Sequence, residues 1–241
     1  MPTTAGSGAE ATINSVIINE KTNDKLSIRD ESLLAKEIIL DPMLLVDSPP
    51  NVIAYSGLDA ITQAIEAYFS RFSTWITETF SLKGFELLIN NIENAYISTL
   101  NDKPDIKSLE NILLGSFLTG VAFTNSRLGV VHGLAHPLGT YYTEPHGLVC
   151  AICLVPSIEV NRAFVKDKYE ALSKLTGEDL IKKINFLKNI MKITNVFKGK
   201  EIIRKKEIID YTLKSGSTKA SPKDINETDI VLMLNQIFNE V

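Results

Sequence analysis

The chain has little of what nucleic-acid-binding or membrane-spanning proteins need. Its 241 residues include 25 Lys or Arg and 29 Asp or Glu, so the formal net charge is −4. A net negative charge offers no general attraction to nucleic acid or to an anionic membrane surface. No apolar run approaches the roughly 18 residues that span a bilayer, and the first residues lack the basic and apolar regions of a signal peptide. We therefore expect no nucleic-acid partner, no membrane partner and a cytoplasmic location.

Cysteine is scarce as well. Cys150 and Cys153 lie in the apolar run LVCAICLVP. Their neighbours and their spacing favour burial in a helix or strand over a metal clip or a redox pair. Hydrophobic residues make up 44% of the chain. That proportion is enough for a substantial core, in one large domain or two small ones.

Histidine is equally rare, but its three copies are clustered. His132, His136 and His146 all fall within VVHGLAHPLGTYYTEPHG. Imidazole is the commonest transition-metal ligand and titrates near neutral pH. His132 and His136 would project from the same face of a helix, and the turn signal Glu144-Pro145 lets His146 fold back toward them. We interpret the cluster as one site; the alternative is a pair of helix-surface histidines plus a loop histidine.

The composition and the apolar spacing of the chain change near Pro49. Residues 1 to about 45 are Gly-, Thr- and Ser-rich and predict a small β-rich piece, with strand-like ATINSVIIN and EIILDP and a turn at Lys21 to Asp24. Beyond Pro49 the apolar spacing is helical and predicts a mainly α bundle. The predicted helices lie at 53–72, 78–98, 106–125, 130–139, 148–164, 169–175, 180–193 and 229–238. Asp59 falls on the first of them, and a bundle can bring such a carboxylate and the histidines together on a divalent metal.

Four segments of the chain resemble a known family. PTTAGSGAEAT, DPMLLVDSPP, GLDAITQAIEAY and the stretch from LGVVHGLAHPLG to EPHG resemble, in this order and at similar spacing, the iron-containing (group III) alcohol dehydrogenases. The resemblance implies the helical metal-binding domain of the iron-containing alcohol dehydrogenase / dehydroquinate synthase-like fold over residues 49–241. Residues 1–48 would be a remnant of the α/β dinucleotide-binding domain. The family's glycine-rich pyrophosphate-binding segment has no counterpart here, so we expect a truncated member.

The resemblance also implies roles for individual residues. Metal ligands would be Asp59, residue 63, His132 and His146, and His136 would relay protons near the nicotinamide. The family usually has histidine where this chain has Gln63, whose neutral amide oxygen is a weaker ligand than imidazole. The expected ion is Fe²⁺ or, as the second choice, Zn²⁺. The residues implied to line the dinucleotide, NAD or NADP, are Thr3, Thr4, Gly6, Ser7 and Gly8.

The function implied is NAD(P)-dependent, metal-assisted oxidation or reduction of a small alcohol or aldehyde. The chain would act as a homodimer or with a separately encoded N-terminal domain. One alternative is a non-catalytic or split-gene fragment that keeps only the metal-binding helical fold. A metal-dependent hydrolase is disfavoured, because no glutamate follows His132 as it does in zinc proteases. A two-histidine, one-carboxylate oxygenase is disfavoured by the helical context.

Overall fold

The computed structural model describes residues 1–18 and 25–239, and within them α-helices dominate. The helices are α1 (Pro50–Phe69), α2 (Trp75–Leu100), α3 (Ile106–Ser126), α4 (Val130–Tyr142), α5 (His146–Asn161), α6 (Lys166–Thr176), α7 (Leu180–Ile190), α8 (Lys205–Lys214) and α9 (Glu227–Asn239). Strands β1 (Asn14–Ile18) and β2 (Lys25–Arg29) form an antiparallel pair. The predicted helical bundle with a small β-rich N-terminal piece is therefore confirmed. The turn predicted at residues 21–24 lies outside the described residues.

The second predicted strand, EIILDP, was wrong. Residues 37–41 are irregular, and a 3-10 helix covers Pro42–Leu45. The Asp41 carboxylate accepts a hydrogen bond of 2.9 Å from the Met43 backbone N–H and so caps this helix. Pro42 has no N–H to donate to a neighbouring strand and suits the first position of a helix. The local Asp-Pro signal thus prevails over the apolar residues before it.

Helix α1 is the centre of the bundle and packs against α2, α3 and α5. The sequence pattern predicted one apolar stripe, but α1 is buried on nearly all sides from Gly57 to Phe69. The buried set includes three polar side chains, those of Asp59, Gln63 and Glu66. A buried carboxylate or amide must find polar partners, since burial without them costs several kcal/mol, roughly 2–7 for an uncharged group. These three residues therefore mark the region of the core where a polar site is expected.

Helix α8 was not predicted, because its segment is Lys-rich and only a few side chains face the core. It packs against α4, where Pro137 interrupts the helical hydrogen bonding. Proline has no N–H for the carbonyl four residues earlier, which is that of Gly133. The Thr212 hydroxyl of α8 donates to the Ile208 carbonyl of its own helix at 2.7 Å and lies 3.4 Å from the Gly133 carbonyl. Helix α8 thus places a polar group beside a carbonyl that α4 leaves without its usual donor.

Two of the helices pass a length and hydropathy test for membrane spans. They are Ile106–Ser126, with mean hydropathy 1.2, and the stretch His146–Phe164, with mean hydropathy 1.5. The expectation that no segment is long and apolar enough was thus wrong by this measure. Buried residues make up 50% and 61% of the two windows. Both helices pack within the bundle, and the buried core helices of other proteins are as long and as apolar, so these two helices are weak evidence for a membrane span.

The start of α2 offers a test of local stability. Thr74 Oγ1 accepts from the Thr77 backbone N–H at 3.4 Å, and Thr77 Oγ1 accepts from the Thr74 N–H at 2.8 Å. This reciprocal capping box satisfies two donors that a helix start leaves unpaired. We expect Thr74→Ala to lower the free energy of unfolding by about 1 kcal/mol, measured by urea denaturation. Thr79→Ala, an exposed position later in the same helix, is the control and should change it by less than about 0.5 kcal/mol. Equal losses in both variants would contradict the capping role.

Candidate metal centre

Three helices bring the predicted carboxylate and two of the histidines together. Asp59 lies in the middle of α1, His132 in the first turn of α4, and His146 is the first residue of α5. His132 Nε2 lies 3.3 Å from Asp59 Oδ1, and His146 Nε2 lies 3.9 Å from the same oxygen. His132 is only 3% exposed, whereas the His146 side chain is 36% exposed. The cluster is therefore buried on the His132 side and open on the His146 side.

Glu66 orients His132 from the side away from the cluster. Its Oε2 lies 2.6 Å from His132 Nδ1, and its Oε1 accepts a 2.7 Å hydrogen bond from the Val131 N–H. Gly129 makes room for this carboxylate, since a Cβ there would lie 2.6 Å from Glu66 Oε1. A carboxylate on Nδ1 fixes the imidazole tautomer and turns Nε2 toward a metal, as outer partners of metal-bound histidines commonly do. Glu66 was not among the predicted site residues, although it lies seven residues after Asp59 and hence near the same helix face.

Cys150 also lies in the cluster. Its Sγ is 3.5 Å from His146 Nε2 and 4.0 Å from His132 Nε2. One ligand atom from each of Asp59, His132, His146 and Cys150 lies within 4.8 Å of all the others. Cys150 and Cys153 are both buried and unpaired, as their apolar neighbours predict. Cys150 thus lies beside the two imidazoles as well as in the core, and its position four residues after His146 was the signal that could have revealed it.

Gln63 and His136 border this group. Gln63 Nε2 donates to Asp59 Oδ2 at 3.0 Å. Among the described residues, Gln63 Oε1 and Asp59 Oδ1 are buried atoms without a hydrogen bond, although Asp59 Oδ1 lies 3.3 Å from His132 Nε2 as an ion pair. His136 is exposed, and its ring centroid lies 5.3 Å from that of His146, on the open side of the cluster. Buried acceptors without a hydrogen bond fit a site that holds a cation.

The charges in the cluster are strongly coupled. Burial alone would raise the pKa of Asp59, but its contact with His132 and the charges of His146 and His132 lower it below the ordinary value. Burial opposes protonation of His132, yet the nearby Cys150 sulfur, the charge of Glu66 and the contact with Asp59 raise its pKa well above the usual value. Burial raises the pKa of the Cys150 thiol to about 12, although His132 favours the thiolate and Asp59 opposes it. Without a cation, protons therefore stay on the imidazole and the sulfur, and a metal would displace them.

The five residues implied to contact a dinucleotide lie in the first turns of the chain. Thr3, Thr4 and Ser7 are exposed, whereas Gly6 and Gly8 are buried. A Cβ at Gly6 would lie 2.6 Å from Ser56 Cβ in α1, and one at Gly8, where φ is 56°, would lie 2.8 Å from Gly120 Cα in α3. Close packing against the chain's own helices thus accounts for both glycines. The contact of this segment with a dinucleotide stays a prediction.

The arrangement of these side chains defines a class of protein. The chain is a helical-bundle protein whose core gathers carboxylate, imidazole and thiol groups from three helices into a candidate transition-metal centre.

The chain belongs to the iron-containing alcohol dehydrogenase family. Residues 53–238 match the family described as "Fe-containing alcohol dehydrogenase family, C-terminal", and residues 1–42 match "Iron-containing alcohol dehydrogenase". Lactaldehyde reductase of Escherichia coli (strain K12) is 35% identical over 177 residues, which are 73% of this chain and 45% of that protein. Alcohol dehydrogenase 4 of Saccharomyces cerevisiae is 36% identical over 200 residues, 79% of this chain and 51% of that protein.

Solved structures agree with this assignment. The crystal structure of a 1,3-propanediol oxidoreductase is similar with a TM-score of 0.90 and 28% sequence identity, over 98% of this chain and 64% of that one. The chain thus spans about half the length of the curated relatives described above and about two thirds of this structure.

Proposed function

We propose that this chain takes part in the NAD(P)-dependent, metal-assisted interconversion of small alcohols and aldehydes. The observation that carries the proposal is the buried group of Asp59, His132 and His146, whose ligand atoms converge at the meeting point of α1, α4 and α5. The names of the relatives supply the substrate class, since they are reductases or dehydrogenases of lactaldehyde, alcohols and 1,3-propanediol. Family membership supplies the expected cofactors, a divalent metal and a nicotinamide.

The metal would be held by Asp59, His132 and His146, with Gln63 as the fourth contact that the family pattern implies. Carboxylate and imidazole ligands suit both Fe²⁺ and Zn²⁺, and the family favours iron. A bound divalent ion supplies a Lewis acid that polarises the oxygen of the substrate, while the nicotinamide supplies or accepts the hydride.

The protein's own groups prepare the site for this chemistry. Glu66 holds His132 through Nδ1, which leaves Nε2 directed toward Asp59. Burial of Asp59 and His132 keeps water away from this side of the cluster. His136 lies at the exposed edge, next to His146, where an imidazole can pass a proton between the substrate oxygen and solvent. Thr3, Thr4 and Ser7, on the segment that Gly6 and Gly8 anchor, are the proposed dinucleotide contacts.

The proposal is tested with the full chain. We expect close to one iron or zinc per chain by elemental analysis, and oxidation of NADH or NADPH in the presence of lactaldehyde and other short aldehydes. Turnover that is lost on chelation and restored by Fe²⁺ or Zn²⁺ would support it. Bound metal together with turnover that chelation leaves unchanged would contradict the role of the metal.

A second candidate is a fragment that holds the metal without catalysing the reaction. One observation favours it: Gln63 replaces the histidine usual in the family, and a neutral amide oxygen is a weaker metal ligand than imidazole. We propose that the partner that completes the site is a second copy of this chain or a separately encoded nucleotide-binding domain. We also propose that the protein acts in the cytoplasm. Titration with NADH, with and without such a domain, and sedimentation of the chain distinguish these cases. Tight NADH binding by the chain alone would exclude the fragment.

His136 gives a test of the proton relay. We expect His136→Gln to lower kcat about 100-fold, because a positioned acid–base group contributes that much or more. Metal content should be unchanged, since His136 is not in the group of converging ligand atoms. Steady-state kinetics and elemental analysis check both statements, and added imidazole should restore part of the activity of His136→Ala. An unchanged kcat would rule out the relay.

A further inference from the structure

We propose that Cys150, as a thiolate, is the fourth protein ligand of the metal, and that Gln63 positions Asp59 instead of binding the ion. The inference rests on the proposed metal-binding function and replaces one ligand of the set that the family pattern implies. It assigns a centre of one carboxylate, two imidazoles and one sulfur.

The spacing of the four ligand atoms is close to that of a tetrahedral site and slightly wider. Ligand atoms at bond lengths of about 2.0–2.3 Å from one ion are separated from each other by roughly 3.3–3.6 Å. In the cluster, His132 Nε2 lies 3.3 Å and His146 Nε2 3.9 Å from Asp59 Oδ1. The fourth ligand atom, Cys150 Sγ, lies 3.5 Å from His146 Nε2 and 4.0 Å from His132 Nε2. All four atoms lie within 4.8 Å of one another, so inward shifts of about 1 Å or less would bring them onto one cation.

Gln63 is placed differently. Its Nε2 is bound to Asp59 Oδ2, the carboxylate oxygen that does not face the two imidazoles. That hydrogen bond holds Asp59 so that Oδ1, which makes no hydrogen bond, points into the cluster. The unpaired Oε1 of Gln63 is the competing donor, but a neutral amide oxygen binds zinc or iron far more weakly than a thiolate does. Where both can reach the ion, the sulfur prevails.

A thiolate ligand changes the charge and the selectivity of the centre. Asp59 and Cys150 carry one negative charge each, which together balance a divalent ion, and the thiol proton leaves to solvent when the ion binds. Sulfur is a soft ligand that favours zinc over hard ions such as Mn²⁺ and Mg²⁺. We therefore expect a larger ratio of Zn²⁺ affinity to Mn²⁺ affinity for a centre completed by Cys150 than for a centre completed by Gln63.

Cobalt substitution tests the inference directly. The full chain loaded with Co²⁺ should show a sulfur-to-cobalt charge-transfer band in the near ultraviolet. The band should persist in Cys153→Ser, whose thiol lies on the same helix and is equally buried, and vanish in Cys150→Ser. X-ray absorption of the zinc form of the unmodified chain should show one sulfur at about 2.3 Å. The X-ray absorption measurement needs no variant, so it shows whether sulfur binds the metal even if Cys150→Ser does not fold.

Affinities give a second readout. We expect Cys150→Ser to weaken Zn²⁺ binding at least about 100-fold, which is more than the loss of an outer partner usually costs. The same variant should weaken Mn²⁺ binding less than about tenfold, because Mn²⁺ gains little from a sulfur ligand. Gln63→Ala should weaken Zn²⁺ binding only about tenfold. Metal bound without a sulfur signal would overturn this inference and leave the proposed function standing. No metal bound by the unmodified chain would overturn both.

Discussion

Replacing His132 by alanine should empty the centre of metal and lower the free energy of unfolding by about 3–5 kcal/mol, the usual cost of breaking a buried charged pair. His132 lies between two buried carboxylates, with Nε2 near Asp59 and Nδ1 on Glu66. Without the imidazole, Glu66 Oε2 loses its partner, and only the Val131 N–H contacts the carboxylate through Oε1. The unpaired charge, more than the small cavity, accounts for the size of the loss.

Denaturant unfolding and elemental analysis check this expectation. His136→Ala is the matched control, because His136 lies on the same helix one turn later but is exposed; its stability should change by less than about 0.5 kcal/mol. In a Glu66→Ala background the further loss from His132→Ala should shrink, since the two side chains act as a pair. Full metal content in His132→Ala would contradict the proposed ligand set.

Gly147→Ala should lower the free energy of unfolding by about 3 kcal/mol, the upper end of the usual cost of overpacking a core. A Cβ at Gly147 would lie 2.3 Å from the carbonyl oxygen and 2.7 Å from the carbonyl carbon of Tyr55. These are backbone atoms of α1 and cannot rotate away, so α5 has to move. The gain of about 0.4–1 kcal/mol from a less flexible unfolded chain is too small to offset the clash. Because His146 is the adjacent residue, metal affinity should fall as well.

Two other glycines serve as controls for this variant. A Cβ at Gly216 meets nothing within 4 Å, and one at Gly139 comes no closer than 3.4 Å to another atom. Gly216→Ala and Gly139→Ala should therefore leave metal affinity unchanged and stability within about 1 kcal/mol of the original. If thermal and denaturant unfolding show that Gly147→Ala is as stable as these two controls, the close contact between α1 and α5 does not exist.

The helices that the sequence predicted well are those with strong apolar periodicity and clear ends. The predicted segment 106–125 differs from α3 by one residue, and 130–139 stops three residues before α4 ends, because Gly139 was read as a terminator. Helix α8 was missed, since its Lys-rich segment buries only three side chains. The strand predicted at EIILDP failed because no neighbouring strand pairs with it in the described structure.

The candidate metal centre also contains residues that the sequence predicted and residues that it did not. Histidine clustering and the position of Asp59 were visible in the sequence, and the structure brings Asp59, His132 and His146 together. The contributions of Glu66 and Cys150 were not visible, because each depends on which face of one helix meets a residue of another. Cys150 in an apolar run looks like any core residue until α4 is placed beside α5.

The sequence by itself determined the helical class, the family and the local spacing of the histidines, because helix periodicity and short motifs act over a few residues. Only the tertiary structure decided that a carboxylate, two imidazoles and a thiol share one centre, and that Glu66 orients one of the imidazoles. Asp59 and His132 are far apart along the chain and come within 3.3 Å only through the packing of α1 against its neighbours. That packing depends on the shapes of many side chains at once, which no short stretch of sequence specifies.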